Sequence, residues 1–253
     1  MNNKIIFISL ISLVVFLICL LALKNRSFTS CNNYIFNVYL YIAFSYLFTR
    51  ICIYIIDIIY GYGLTDNLTI ENDTVFLIGC VISLISLTLI TLTSNIYKTY
   101  FLYFIFLISL SVVLRPIFTY KATTDILNNS LLQTVVMLLI MSIFSVLFSG
   151  YIDHYGNFIL IGLLVGLLSI IIMTIYNIYV NRYNFQELIE YQQLITYFSI
   201  VIFAMFLAYD SCRIRKNSII CKSANYPKAS LNVYLDFINL VMNLLHINSN
   251  LYI

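Results

Sequence analysis

Of the chain's 253 residues, 62% are hydrophobic and 9% are charged, and the formal net charge is +3. Soluble domains carry about 25% charged residues, so the polar side chains present cannot clothe a water-exposed fold of this length. A soluble domain is excluded, and so is a nucleic-acid-binding one, since the few basic residues form no extended face.

A bilayer core of about 30 Å takes roughly 20 apolar residues per helix. The segments that qualify, in chain order, are Ile5–Leu23, Tyr34–Ile58, Thr74–Thr93, Thr99–Thr119, Leu131–Ser149, Phe158–Val180, Tyr191–Cys212 and Ala229–Ile247. Such runs must satisfy their backbone groups internally, as helices. The alternating segments of a β-barrel are absent. The expectation is an all-α integral membrane protein. Residues 1–33 form a signal-anchor-like helix with an inner linker, and residues 34–253 form a membrane domain of seven helices. Lys4 ahead of the first run is compatible with a signal peptide, but no A-x-A-like site precedes Lys24, which favours an uncleaved anchor.

In the second segment Arg50 and Asp57 share a helix face, either pairing through a neighbour or leaving Asp57 at the outer interface. Ser94–Lys98 reads as a tight turn. Arg115-Pro116 reads as a kink with a snorkelling arginine. Gly150–Asn157, with Asp153 and His154, reads as a second tight turn. Gly162-Leu-Leu-Val-Gly166 is a small-xxx-small pattern suited to a close helix contact.

Orientation follows from the basic residues near the helix ends. Arg213, Arg215, Lys216, Lys222 and Lys228 form the densest cluster and mark the link between the last two segments as cytoplasmic. Lys24, Arg26 and Lys98 then fall inside, and the acidic stretch around Glu71 falls outside. The sequons at Asn67, Asn72 and Asn128 also fall outside, where glycosylation acts. None of the six cysteines falls in an outer loop. No disulfide is therefore expected, and Cys31, Cys212 and Cys221 should face a reducing compartment.

Ionisable residues within spans are costly and call for an account. Asp210 ends the seventh segment, and Asp236 lies about two turns into the eighth, counted from the same side. A rise of 1.5 Å per residue gives the two carboxylates similar depth. On neighbouring helices they could share a proton or offer oxygen ligands to a hard cation such as Ca²⁺. Alternatively, Asp210 pairs with Arg213 or Arg215 at the membrane edge. Asn232, Asp236, Asn239, Asn243 and His246 recur at helical spacing and draw a polar stripe along the last segment. The stripe is either a hydrogen-bonded seam between helices or the lining of an ion path. No metalloprotease, nucleophile-elbow or P-loop motif occurs, so no enzyme and no cofactor are expected.

Two stretches, Leu207-Ala-Tyr-Asp210 with its following basic residues and Leu231-Asn-Val-Tyr-Leu-Asp-Phe-Ile-Asn-Leu-Val-Met-Asn-Leu-Leu245, resemble the closing signature of the Bax inhibitor family. Phe36-Asn-Val-Tyr39 and Ile175-Tyr-Asn-Ile-Tyr179 are similar to its first and fifth helices. The resemblance implies six helices around a central C-terminal one. It also implies a pH-sensitive pair at Asp210 and Asp236 gating a Ca²⁺ leak; in such a leak Asn232, Asn239 and Asn243 of the polar stripe are expected to line the path. Arg213, Arg215 and Arg50 are the charge partners to consider. The implied setting is the endoplasmic reticulum or Golgi membrane, with suppression of cell death. The chain departs from the family in its extra N-terminal segment. It also lacks, inside the third helix, the arginine that some members place near the aspartates. The competing expectation is a non-conducting protein that suppresses cell death by binding cell-death regulators or Ca²⁺-channel proteins of the same membrane.

Overall fold

A computed structural model describes residues 30–60, 70–120, 124–180 and 185–250. The expected anchor Ile5–Leu23 and the sequon at Asn67 lie outside the described residues. The described chain is helical, without a strand, and comprises α1 (Tyr34–Tyr60), α2 (Ile70–Leu92), α3 (Ile96–Tyr120), α4 (Thr124–Leu147), α5 (Ser149–Val180), α6 (Phe185–Ile219) and α7 (Tyr226–Asn250). All seven are long and apolar enough to cross a membrane. The last is the most enclosed of them, 56% buried along its apolar stretch, and α5 the least at 6%.

Hydroxyl residues inside these spans are accommodated by bonding back to their own helix. Ser83, Ser86, Thr88 and Thr91 on α2 donate to carbonyls one turn earlier, and Ser130 and Thr134 on α4 do the same. A hydroxyl satisfied this way can sit in an apolar setting without a partner helix.

The helix ends carry recognisable caps. Asn95 Oδ1 accepts from the amides of Tyr97 (3.0 Å) and Lys98 (3.3 Å), so α3 starts earlier than the apolar run alone implies. Asn225 Oδ1 accepts from the Lys228 amide at 3.3 Å at the start of α7. Pro227 is tolerated there because first-turn amides have no intrahelical acceptor.

The structure corrects several sequence expectations. Gly150–Asn157 is not a turn: α5 begins at Ser149, Phe148 alone separates it from α4, and Asp153 and His154 lie within helix. The Phe148 amide still bonds to the Phe144 carbonyl at 2.9 Å, and the Ile152 amide to Phe148 at 3.0 Å. Glycines do not break a helix where the alternative is unsatisfied backbone in lipid. Likewise Arg213, Arg215 and Lys216 extend α6 rather than forming a loop, and the link to α7 is only residues 220–225. The sequon at Asn128 falls within α4, with its Ser130 fully buried.

Packing divides the chain into two compact units. In the first, α3 packs against both α1 and α2. Gly79 on α2 leaves only 3.2 Å between a would-be Cβ and Val112 on α3, so the two backbones approach closely. Asp57 pairs with Arg115 through Nε at 2.7 Å, not with Arg50. Arg50 instead stands over the Phe118 ring, 5.0 Å from its centroid. The segment 220–231 belongs to this unit. There Cys221 forms a disulfide with Cys31, contrary to the expectation of free thiols. The 190 residues between them hid the pairing, because it is the return of the chain to the same end of α1 that brings the two together.

The second unit holds α4, α5, α6 and α7 from Asn232 onward. Helix α6 packs against both α4 and α5. A Cβ at Gly166 would come within 2.7 Å of Ile202 Cδ1, whereas one at Gly162 would meet nothing within 4 Å. Only the second glycine of the small-xxx-small pattern therefore serves a helix contact. Asn248 near the end of α7 donates to Ser130 Oγ at 2.8 Å and Gln133 Oε1 at 3.1 Å on α4.

Candidate functional site

Asp210 follows Leu207 and Ala208, both buried, in the last third of α6. Asp236 lies on α7 between the buried Tyr234 and Phe237. The two aspartates, 7% exposed each, are among the few buried acidic groups of the described chain. Their carboxyls lie within interacting reach of each other, and the Asn232 side chain neighbours Asp210 from one turn before Asp236 on α7.

Oδ2 of Asp236 is buried and meets no N–H or O–H donor among the described residues. An ionised carboxylate only accepts hydrogen bonds. Two carboxyls can bond to each other only through a proton that one of them carries, so the pair behaves as a single acid. The cation whose charge acts on it is Arg213, exposed and three residues beyond Asp210 on the same helix.

The structure brings Asp210, Asp236, Asn232 and Arg213 near one another. Arg215 reaches neither carboxyl through a described contact; its carbonyl accepts from Ser218 Oγ. Arg50 is engaged by Phe118 within the first unit. Asn239 and Asn243 are half-buried, and Asn243 donates to the Asn239 carbonyl at 2.8 Å, so part of the polar stripe bonds along its own helix. The residue that sequence reasoning missed is Asn248, 9% exposed, which ties α7 to α4. It lies just past the apolar run's apparent end at Ile247, and its only signal was a polar side chain following a helix-forming stretch.

Two carboxyl groups offer up to four oxygens once deprotonated, ligands suited to a hard cation. The described residues hold no cluster of three or more His, Cys, Asp or Glu side chains able to cage a metal ion.

No curated protein matches the sequence. The family described as "Inhibitor of apoptosis-promoting Bax1" matches residues 31–251, nearly the whole chain and all seven described helices. This multi-pass membrane protein belongs to the Bax inhibitor family.

Proposed function

We propose that the protein is a pH-sensitive Ca²⁺ leak of the endoplasmic reticulum or Golgi membrane that suppresses cell death by lowering stored Ca²⁺. The observation that carries this reading is the burial of Asp210 and Asp236 side by side, two carboxyls close enough to share a proton. While the pair holds its proton, α6 and α7 are tied together at this point. When the proton leaves, two like charges face one another in a poorly solvated site and repel. That repulsion biases a two-state equilibrium toward a form in which the carboxylates separate. The same deprotonation creates the anionic oxygens that attract Ca²⁺, so gate and attraction operate together. Arg213 on α6 and the neutral Asn232 on α7 are the groups that face the pair and set how firmly it is held. Asn239 and Asn243 continue the polar face along α7, and their half-burial suits a path lining.

The test is Ca²⁺ flux in proteoliposomes across pH 5–10, comparing the natural sequence with the Asp210→Asn, Asp236→Asn double variant. Pair-controlled flux loses its pH dependence in the variant. Flux with an unchanged pH profile removes the pair from the mechanism. Cell protection that persists in a variant without flux transfers the function to the competing reading, in which the protein acts by binding other membrane proteins.

A further inference from the structure

The disulfide between Cys31 and Cys221 has no part in the proposed gate, yet it is placed to act on the helix that carries it. It joins the residues just before α1 to the link that leads into α7. Both cysteines are half-buried, so solvent reaches them.

Beside the bond, the start of α7 is docked on the first unit by weaker contacts. The Tyr226 hydroxyl donates to the Ser30 carbonyl and accepts from Asn37 Nδ2 at 2.9 Å, and its ring stacks on Tyr41 with centroids 5.5 Å apart. Asn225 Nδ2 donates to Thr99 Oγ1 at 3.3 Å, and Lys228 Nζ to the Thr91 carbonyl at 2.7 Å. Asp236 follows Tyr226 in the same unbroken helix, about 15 Å further along at 1.5 Å per residue. The bond is flanked by Arg213, Arg215, Lys216, Lys222 and Lys228, which favour the cytoplasmic side for this end. In that reducing compartment disulfides are transient and redox-sensing rather than permanent braces.

We propose that Cys31 and Cys221 form a reducible clasp: a thiol–disulfide site for a dithiol reductant, whose opening loosens the 220–225 link and the first turns of α7. One thiolate of the dithiol attacks a sulfur of the bond, giving a mixed disulfide and releasing the other cysteine as a thiolate. The second thiol of the reductant then displaces the remaining cysteine and closes a cyclic disulfide. Two electrons and two protons pass to Cys31 and Cys221, and the dithiol is oxidised. The tyrosine, asparagine and lysine contacts remain after reduction, so the link loosens without the unit coming apart. Control of the acid pair by the clasp rests on the leak reading; the clasp itself does not.

The test uses the full-length protein in phosphatidylcholine vesicles, equilibrated with either oxidised or reduced dithiothreitol. Peptide mapping should find Cys31 joined to Cys221 in the oxidised sample, and amide exchange across residues 220–235 should quicken several-fold on reduction. The Cys31→Ser, Cys221→Ser double variant should exchange at the reduced rate in both buffers. Thiols that stay unpaired in the oxidised sample, or exchange that ignores reduction, overturn the clasp. Ca²⁺ flux recorded on the same vesicles separates the two readings. A flux at least twofold different between the redox states extends the clasp to the gate. Flux that ignores reduction while exchange responds removes that link. Exchange that responds where no flux exists in either state leaves the clasp standing and sinks the leak.

Discussion

Arg115 donates through Nε to Asp57 at 2.7 Å, joining the last turns of α3 and α1 at the end opposite the disulfide. The two side chains are 21% and 16% exposed, so the pair is neither a surface bridge nor a sealed one. Exposed pairs contribute about 0–1 kcal/mol, and breaking a buried one costs about 3–5 kcal/mol. Arg115→Gln should therefore destabilise by about 2 kcal/mol, because it leaves the Asp57 charge without its cation. The Asp57→Asn, Arg115→Gln double variant should cost less than the sum of the two single changes. Thermal unfolding in detergent, followed by helical circular dichroism, measures the cycle. Additive losses would show that the two charges do not act as a pair.

Replacing one aspartate of the pair, Asp236, by asparagine has a defined consequence. An asparagine at 236 can donate an N–H to Asp210 at every pH, so the tie between α6 and α7 no longer depends on a proton. With the natural pair the tie holds while the shared proton is present and is lost as pH rises and the proton leaves. On the leak reading, liposome flux of Asp236→Asn should stay at its low-pH level up to pH 10, while that of the natural sequence rises as the shared proton leaves. A parallel rise in both would mean that another group sets the pH response.

The acid pair could be read from the chain because its signals were local: a carboxylate at the end of one apolar run and another two turns into the next. Asn232 and Arg213 followed, since helical spacing alone puts them within a turn of an aspartate. The seven spans were legible for the same reason, as apolar length is itself the physical requirement for crossing lipid. Partnerships between distant segments were not legible. Asp57 has a basic residue of its own helix on the same face at Arg50, yet tertiary packing supplies Arg115. Cys31 and Cys221 carry no spacing motif, and only the alternation of spans returns the chain to the same end. Helix ends were misjudged wherever polarity was taken as a stop signal. Gly150–Asn157 and Arg213–Ile219 stay helical because the hydrogen-bond ladder continues through polar residues at a membrane edge.

Asn248→Ala should loosen the far end of α7. Its amide donates to both Ser130 and Gln133 on α4, and Ser130 is fully buried. Ser130 still bonds to the Ile126 carbonyl, so the loss is that of the bridging amide, about 1–2 kcal/mol. Asn248→Asp, of similar size but without the donating NH₂, should be at least as harmful. Melting temperatures of the two variants in one detergent decide the point, and natural stability in Asn248→Asp would show that the donor is unimportant. The same geometry predicts that Asn128 stays unglycosylated, because its sequon is locked in helix with the serine inward. Loss of a glycan from an Asn128→Gln variant, seen as a mobility shift, would contradict it.

Gly162 and Gly166 make a matched pair of tests for the α5–α6 contact. A Cβ at Gly166 falls 2.7 Å from Ile202 Cδ1, the mobile end of a flexible side chain, whereas Gly162 faces open space. Gly166→Ala should be tolerated at a modest cost, since Ile202 can turn aside. Gly166→Leu cannot be absorbed that way and should force the helices apart, with the 1–3 kcal/mol loss typical of overpacking. Gly162→Leu should leave stability within about 0.5 kcal/mol, its side chain lying over an unoccupied helix surface. Because α6 also carries Asp210, the displaced helix in Gly166→Leu should disturb the carboxyl pair as well. Its flux should therefore lose part of its pH dependence along with stability, whereas Gly162→Leu keeps both. Equal behaviour of the two leucine variants would place the α5–α6 contact elsewhere on the helix.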